Sequence, residues 1–119
     1  MKSTYTLLIT FLIISANCFS ADKSINTKEI NHLLEFIKDS ECVFTRNGKS
    51  YPSSEAYEHI NRKYQYVLDK GLIKTTEDFI KYSATKSSMS GKRYSVSCSG
   101  NQALSEDWLK EELTRFRDK

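Results

Sequence analysis

The sequence predicts an α+β domain in which about four helices pack on a small, mostly antiparallel three-stranded sheet with one disulfide. Three observations lead to this fold class. Apolar residues recur at helical spacing in four separate segments. Two short runs of β-forming residues flank Asn47 and Gly48, and a third run over 93–98 alternates strictly between apolar and polar side chains. Finally, Cys42 and Cys98 lie within or beside these runs, where a disulfide would join the strands.

The first 21 residues have the pattern of a signal peptide. A positive residue near the start is followed by an apolar run over 7–14 and then by small residues, with cleavage expected near Ser20 or Ala21. Acylation of Cys18 is the weaker alternative, because an asparagine rather than a small residue precedes it. We therefore predict an exported protein, periplasmic or secreted, with a single mature domain over 22–119 and no transmembrane span.

The overall charge argues against some classes of partner. The formal net charge is +3, and it falls by one when the leader is removed. This balance is too mild to favour nucleic acid or an anionic membrane surface, so any basic site must be local. We predict no cofactor, and no metal site either, because His32 and His59 lie far apart without ligand spacing.

The cysteines support one covalent link. Removal of the leader takes Cys18 with it and leaves Cys42 and Cys98 in an oxidising compartment. We therefore predict a disulfide between these two residues. Because it closes a long loop, it should contribute a large share of the domain's stability.

The first predicted helix covers 27–39. Asn26 and Glu29 form a capping-box pattern at its start, and apolar residues follow with the spacing of one helical face. His32 lies opposite that face. It is predicted to be exposed and to have no role.

The next element is a β-hairpin. Asn47 and Gly48 both tolerate the positive φ that a two-residue type I′ turn requires. The turn places Phe44 opposite Tyr51, and Pro52 should end the second strand.

Three more helices follow the hairpin. Ser53 or Ser54 is the predicted cap of the second helix, which runs to about Lys70. The third helix begins at Thr75. The fourth is predicted to be capped by Ser105.

One edge of the second helix carries residues that are suited to chemistry. Glu55, His59 and Lys63 follow one another at intervals of one turn beside the apolar stripe. A carboxylate at this spacing can orient an imidazole as a general base, and a lysine can polarise a substrate oxygen. The simpler interpretation is that His59 lies at the core boundary, with the methylenes of Lys63 covering it.

A polar loop before the last strand has the composition of an anion cradle. Its side chains and backbone offer hydroxyls, flexible amides and cations within a few residues. The simpler interpretation is a solvated connection. The candidate binding residues in this loop are Lys86, Ser87, Ser88, Ser90, Gly91 and Lys92, with Arg46 and Lys49 from the hairpin tip adding charge.

Three motifs in this order resemble those of a family of small secreted bacterial proteins that is classed as a domain of unknown function. They are R-N-G-x-x-Y at 46–51, E-A-x-x-H-x-x-x-K at 55–63 and S-S-x-S-G-x-x-Y-x-V-x-C at 87–98. The resemblance covers about 30–117 and implies no activity. It does imply that the polar residues of the hairpin, the second helix and the loop belong to one pattern.

These observations lead to three functional hypotheses. The first is a non-enzymatic envelope module whose basic, hydroxyl-rich patch binds an anionic ligand or an envelope protein. The second is a small hydrolase or transferase in which His59 is the general base, Glu55 orients it, and a loop serine such as Ser88 is the nucleophile. The third is a patch whose polar groups serve only the fold.

Overall fold

The computed structural model describes residues 25–119, so the predicted signal peptide lies outside the described residues. Within them the chain forms the four predicted helices and a sheet, which confirms the α+β class. The elements in chain order are α1 (Thr27–Asp39), β1 (Val43–Arg46), β2 (Lys49–Pro52), α2 (Ser53–Asp69), α3 (Thr76–Ser83), β3 (Ser95–Cys98), β4 (Asn101–Leu104) and α4 (Ser105–Arg117).

The sheet has four antiparallel strands, in the order β2-β1-β3-β4, rather than the three predicted. The additional strand, β4, follows β3 through a two-residue turn at Ser99 and Gly100, whose φ angles are +52° and +85°. Cys98 then pairs with Asn101. Two positive φ angles are what a tight antiparallel hairpin requires, and this turn adds an edge strand that the sequence pattern did not reveal.

The first hairpin has the predicted register. Phe44 pairs with Tyr51 and Arg46 pairs with Lys49 across the turn. Because β1 also pairs with β3, it is a central strand with partners on both sides.

The predicted disulfide joins Cys42 to Cys98, and the two Cα atoms are 4.7 Å apart. Cys42 directly precedes β1 and Cys98 ends β3, where Val43 pairs with Ser97. The bond therefore fastens the start of one central strand to the end of the other. This confirms the placement of the last predicted strand beside the hairpin.

Side chains cap α1 and α3 as predicted, with one difference. Asn26 accepts the amide of Glu29 over 3.1 Å, but the Glu29 carboxylate turns away to bind Arg117 and Thr76. Only half of a capping box therefore forms at α1. At α3 the reciprocal bonds between Thr75 and the third helical residue are both present.

The predicted caps of α2 and α4 are wrong. The residues that precede these helices are Pro52 and Leu104, and neither provides a side-chain cap. Ser53 instead donates its hydroxyl to the carbonyl of Lys38 over 3.1 Å, and Ser105 is fully buried. The hydroxyl of Ser105 has no hydrogen-bond partner among the described residues, so only Ser53 exchanges a cap for a bond to another element.

The helices and the inner face of the sheet enclose one core. Its largest fully buried side chains come from α1, α3, α4 and β3: Ile30, Leu33, Ile37, Phe79, Ile80, Leu109 and Val96. The single tryptophan, Trp108 on α4, packs beside this core between two aromatic rings. Its ring centroid lies 4.5 Å from that of Phe36 and 5.5 Å from that of Phe44.

His32 does have partners, contrary to the prediction. Its Nε2 atom lies 2.6 Å from the carboxylate of Glu112, and its ring stacks on Phe116 at a centroid distance of 4.1 Å. α4 packs across this side of α1 and covers what a single helical wheel assigns to solvent. Burial disfavours the Glu112 carboxylate, but hydrogen bonds from His32 and Arg115 outweigh it and lower the pKa of Glu112.

Two features were sought in the described residues: a membrane-spanning helix and a cluster of metal ligands. Across residues 25–119, no helix is long and apolar enough to cross a bilayer. Over the same residues, no group of three His, Cys, Asp or Glu side chains is placed to hold a metal ion.

We expect the disulfide to be a major source of stability. Replacing both Cys42 and Cys98 with alanine should lower the free energy of unfolding by about 4 kcal/mol, because the unfolded chain regains the entropy of a long open loop. Urea unfolding monitored by circular dichroism measures the difference. Dithiothreitol should shift the wild-type midpoint to that of the double variant and leave the double variant unchanged. A loss below about 1 kcal/mol would contradict the expectation.

Candidate functional site

The tip of the first hairpin is hydrogen bonded to the polar loop over 86–93. The side-chain amide of Asn47 donates to the Ser87 hydroxyl over 3.3 Å, and the Ser90 hydroxyl donates to the Asn47 carbonyl oxygen over 2.5 Å. Asn47 is in the left-handed region at φ +53°, a conformation that asparagine adopts more readily than most residues. Two of the three sequence segments with candidate site residues are therefore in contact.

Ser87 also organises the loop internally. It is buried, and its hydroxyl accepts the amides of Met89 and Ser90 over 3.3 Å each. Its own amide donates to Lys92, and its carbonyl accepts the amide of Gly91 at φ +74°. The serine-rich composition of this segment thus serves a tight, self-bonded turn more than a set of free hydroxyls.

Lys63 connects the third segment, the polar edge of α2, to the loop. Its ammonium group donates to the carbonyl of Lys86 over 2.8 Å and to the hydroxyl of Tyr94 over 3.1 Å. Tyr94 lies just before β3 and is 4 % exposed, so its hydroxyl meets the helix from the sheet side. The hairpin tip, the edge of α2 and the loop therefore converge.

His59 shares the same phenol. Its Nε2 atom lies 3.0 Å from the Tyr94 hydroxyl. An ammonium group has donors only, so the phenol oxygen accepts from Lys63. The phenol donates to Nε2 when the proton of the neutral imidazole is on Nδ1, and accepts from Nε2 in the other tautomer.

The electrostatic environment keeps His59 neutral. Burial is the largest cause, and the positive charges of Arg46, Lys63 and Arg62 add to it, lowering the pKa of His59 to about 4. Burial and then Arg46 likewise lower the pKa of Lys63. Burial raises the pKa of Tyr94, so its phenol remains protonated at neutral pH.

A cavity of about 110 Å³ lies between β1 and α2 beside this network. Two arginines line it. Arg46 lies over the ring of Tyr51 with its guanidinium 4.9 Å from the ring centroid, and Arg62 approaches from α2. The carboxylates of Glu55 and Glu58 also line this cavity.

A second cavity, of about 260 Å³, adjoins the first, because His59 and Arg62 line both. It extends along α2 past Lys63 to Tyr66, and Ser88 contributes the loop side. We call the two cavities together the α2 cleft.

The arginines of the cleft differ from the others in the described chain. Arg93, Arg115 and Arg117 each form a salt bridge with a glutamate, at N–O distances of 2.6 to 2.9 Å. Within residues 25–119, neither Arg46 nor Arg62 lies within 4.0 Å of a carboxylate oxygen. The cleft thus holds two cations that form no salt bridge, although the carboxylates of Glu55 and Glu58 line the same cavity.

The structure brings together part of the predicted site. Arg46, His59, Lys63 and Ser88 line the cleft, and so does Glu55. In the described chain no hydrogen bond joins Glu55 to His59, whose Nε2 atom bonds to a tyrosine instead.

The remaining predicted residues lie around the cleft rather than in its lining. Lys86 contributes its carbonyl to Lys63, Lys92 bonds to the loop through its backbone, and Lys49 is exposed on β2. Ser87, Ser90 and Gly91 shape the turn.

Sequence reasoning missed Tyr94, Arg62, Tyr51 and Glu58, which all line the first cavity. Tyr94 belongs to the alternating run over 93–98, which by itself predicts only a strand. The signal that could have identified it is a tyrosine at an inward position, because a buried phenol requires a hydrogen-bond partner. Arg62 lies one turn beyond Glu58. The two residues form a second polar row on α2 next to the row of Glu55, His59 and Lys63, and including this row would have identified Arg62.

Comparison with known proteins identifies a family and nothing more specific. A family model described as "Family of unknown function (DUF5329)" matches residues 24–117. Neither the search of curated proteins nor the search of solved structures finds a match.

The contacts of Asn47 predict the effect of removing its side chain. Asn47→Gly retains the positive φ of the turn but loses both bonds to the loop, so the amides of Ser90 and Gly91 should exchange with solvent about tenfold faster. Hydrogen exchange by NMR measures this, with the amides of α1 as the internal control. Unchanged exchange at these two amides would show that the hairpin does not hold the loop.

The environment of His59 predicts an acidic titration. NMR of the imidazole nitrogens should give a midpoint at about pH 4, and His59→Gln identifies the signal. Between pH 6.5 and 4 the unfolded chain binds more protons at this residue than the folded one, so its contribution to stability is complete above pH 6.5 and is lost as pH falls through 4. The urea midpoint of the wild type should therefore fall more steeply over this range than that of His59→Gln. A midpoint near pH 6.5 would contradict the burial argument.

Proposed function

Because the chain belongs to this family of unknown function, we propose its role from the α2 cleft: it is a non-enzymatic binding module that receives an anionic group of a ligand or partner protein. The observation that carries this proposal is the pairing of the arginines. Arg93, Arg115 and Arg117 form salt bridges, whereas Arg46 and Arg62, at the cleft, do not. An anion that enters the cleft would supply the salt-bridge partner that Glu55 and Glu58, which line the same cavity, do not.

The electrostatic cost of the arrangement supports the same role. Burial is the largest cause of the lowered pKa of His59, and Arg46 and Arg62, which line the same cavity, add to it. Arg46 also helps to lower the pKa of Lys63, so like charges repel within the cleft, and clusters of perturbed groups in a cleft are typical of functional sites. A bound anion would relieve this repulsion.

The enzyme hypothesis receives less support from the same geometry. A general base works best when its pKa lies near the operating pH, whereas that of His59 is about 4. Its Nε2 atom is already hydrogen bonded to the Tyr94 hydroxyl. Ser87 and Ser90 direct their hydroxyls to Asn47, so only Ser88 of the three loop serines lines the cleft.

A purely structural role explains only part of the patch. Lys63 bonds to Lys86 and Tyr94, and Ser87 and Ser90 hold the loop. Arg46 and Arg62 lack comparable hydrogen bonds within the described chain. Binding therefore remains the better explanation of the two arginines.

We further propose that the module works outside the cytoplasm, in the periplasm or after secretion by a bacterium. The pattern of the first 21 residues is that of a signal peptide. The bond between Cys42 and Cys98 supports the proposal, because structural disulfides persist mainly in oxidising compartments.

We expect galacturonate and inorganic phosphate to bind in the cleft of the wild-type protein, as followed by NMR shifts of Tyr94 and His59. Arg46→Gln and Arg62→Gln should each weaken binding about tenfold, because each removes one charge-assisted hydrogen bond. Arg115→Gln is the matched control, since this arginine lies outside the cleft and is paired. It should change affinity by less than about twofold.

The test requires that each variant remains folded. Circular dichroism checks each variant for its fold, and Arg62 is exposed, so its replacement leaves the core intact. If neither anion shifts the cleft signals, or if Arg115→Gln weakens binding as much as the cleft variants do, the proposed function is wrong.

A further inference from the structure

The α2 cleft is elongated, which bears on the size of its ligand. Its lining runs along α2 from Glu55 to Tyr66, eleven residues apart, and this corresponds to about 16 Å of helix. The two cavities meet at His59 and Arg62. A single small anion would occupy only a fraction of this length.

The chemistry of the lining is mixed in charge. Arg46, Arg62 and Lys63 are cations, while Glu55 and Glu58 place carboxylates among them. Carboxylates only accept hydrogen bonds, so a complementary ligand must present neutral donors as well as acidic groups. A ligand that offers acidic groups and no neutral donors would leave these two carboxylates unpaired.

An aromatic surface lies in the second cavity. Tyr66 is 63 % exposed, which is unusual for a large ring, and the ammonium group of Lys70 lies 5.3 Å from its centroid. An exposed tyrosine offers an apolar face together with a polar tip. The C–H face of a sugar ring can pack on such a surface while its hydroxyls bond to neighbouring side chains.

β1 offers no free backbone edge to a ligand. Its residues 44–46 line the first cavity, and the strand is paired on both sides with β2 and β3. A ligand at this strand therefore binds through side chains rather than by adding a strand to it.

From these observations we propose that the α2 cleft binds an anionic oligosaccharide, with an acidic sugar at Arg46 and Arg62 and a neighbouring ring against Tyr66. Sugar hydroxyls then donate to Glu55 and Glu58. This inference rests on the proposed function, since it assigns a ligand class to the same cleft.

Calorimetric titration with tetragalacturonate tests the inference, with galacturonate, neutral maltotetraose and hexaglutamate as comparison ligands. The tetramer should bind at least about tenfold more tightly than the monomer, because it occupies both cavities at once. Maltotetraose lacks the acidic groups, and hexaglutamate lacks the hydroxyls. Both should bind more weakly than tetragalacturonate.

Variants on one helix separate the subsites. Tyr66→Ala should weaken tetragalacturonate about fivefold and leave galacturonate unchanged, because the ring serves only the second cavity. Gln65→Ala is the control, since this exposed neighbour lies on α2 outside the lining. It should alter neither affinity by more than about twofold.

The possible results separate the oligosaccharide proposal from the more general proposal of an anion site. Two results would contradict the oligosaccharide proposal and leave the anion site in place. In the first, galacturonate binds at Arg46 and Arg62 but the tetramer binds no more tightly. In the second, Tyr66→Ala does not change the affinity for the tetramer. If hexaglutamate binds more tightly than tetragalacturonate, the ligand is an acidic peptide and the oligosaccharide proposal is wrong. If no acidic ligand binds, both the oligosaccharide proposal and the proposed function are wrong.

Discussion

The hydroxyl of Tyr94 is the contact on which the architecture of the cleft depends. It is buried at the start of the third strand, and a buried phenol must find partners. Lys63 donates to it and His59 is hydrogen bonded to it through Nε2, so one oxygen anchors two successive turns of α2. Lys63 in turn bonds to Lys86, which fixes the polar loop against the helix. Without this phenol, the polar edge of α2 would lose the group that holds it in a defined arrangement.

Local sequence signals predicted most of the fold. The first hairpin is an example, because Asn47 and Gly48 determine a turn, and the turn determines the register of both strands. The fourth strand shows the limit. Asn101–Leu104 has neither β-branched residues nor alternation, and it is a strand only because β3 offers it an edge to pair with. The turn at Ser99 and Gly100 was the one local sign of it.

The site was predictable in composition but not in contacts. Periodicity placed Glu55 and His59 on one edge of α2, yet a helical wheel gives no partner from outside the helix. The partner is Tyr94, thirty-five residues later, and only the tertiary fold brings it there. The same reasoning explains His32, whose solvent-facing position is covered by α4. In the sequence, the serines of the loop resemble hydrogen-bond donors for a ligand. In the structure, Ser87 and Ser90 bond instead to the loop itself or to Asn47.

The aromatic packing on α4 gives the molecule a built-in optical reporter. Trp108 is the only tryptophan of the chain, and its ring meets that of Phe44 at 5.5 Å in an edge-on geometry. Phe44 also lines the first cavity, so the fluorophore is separated from the cleft by a single ring. A rearrangement of Phe44 on occupancy would alter the surroundings of the indole and hence its emission. Intrinsic fluorescence would then monitor the cleft without a label.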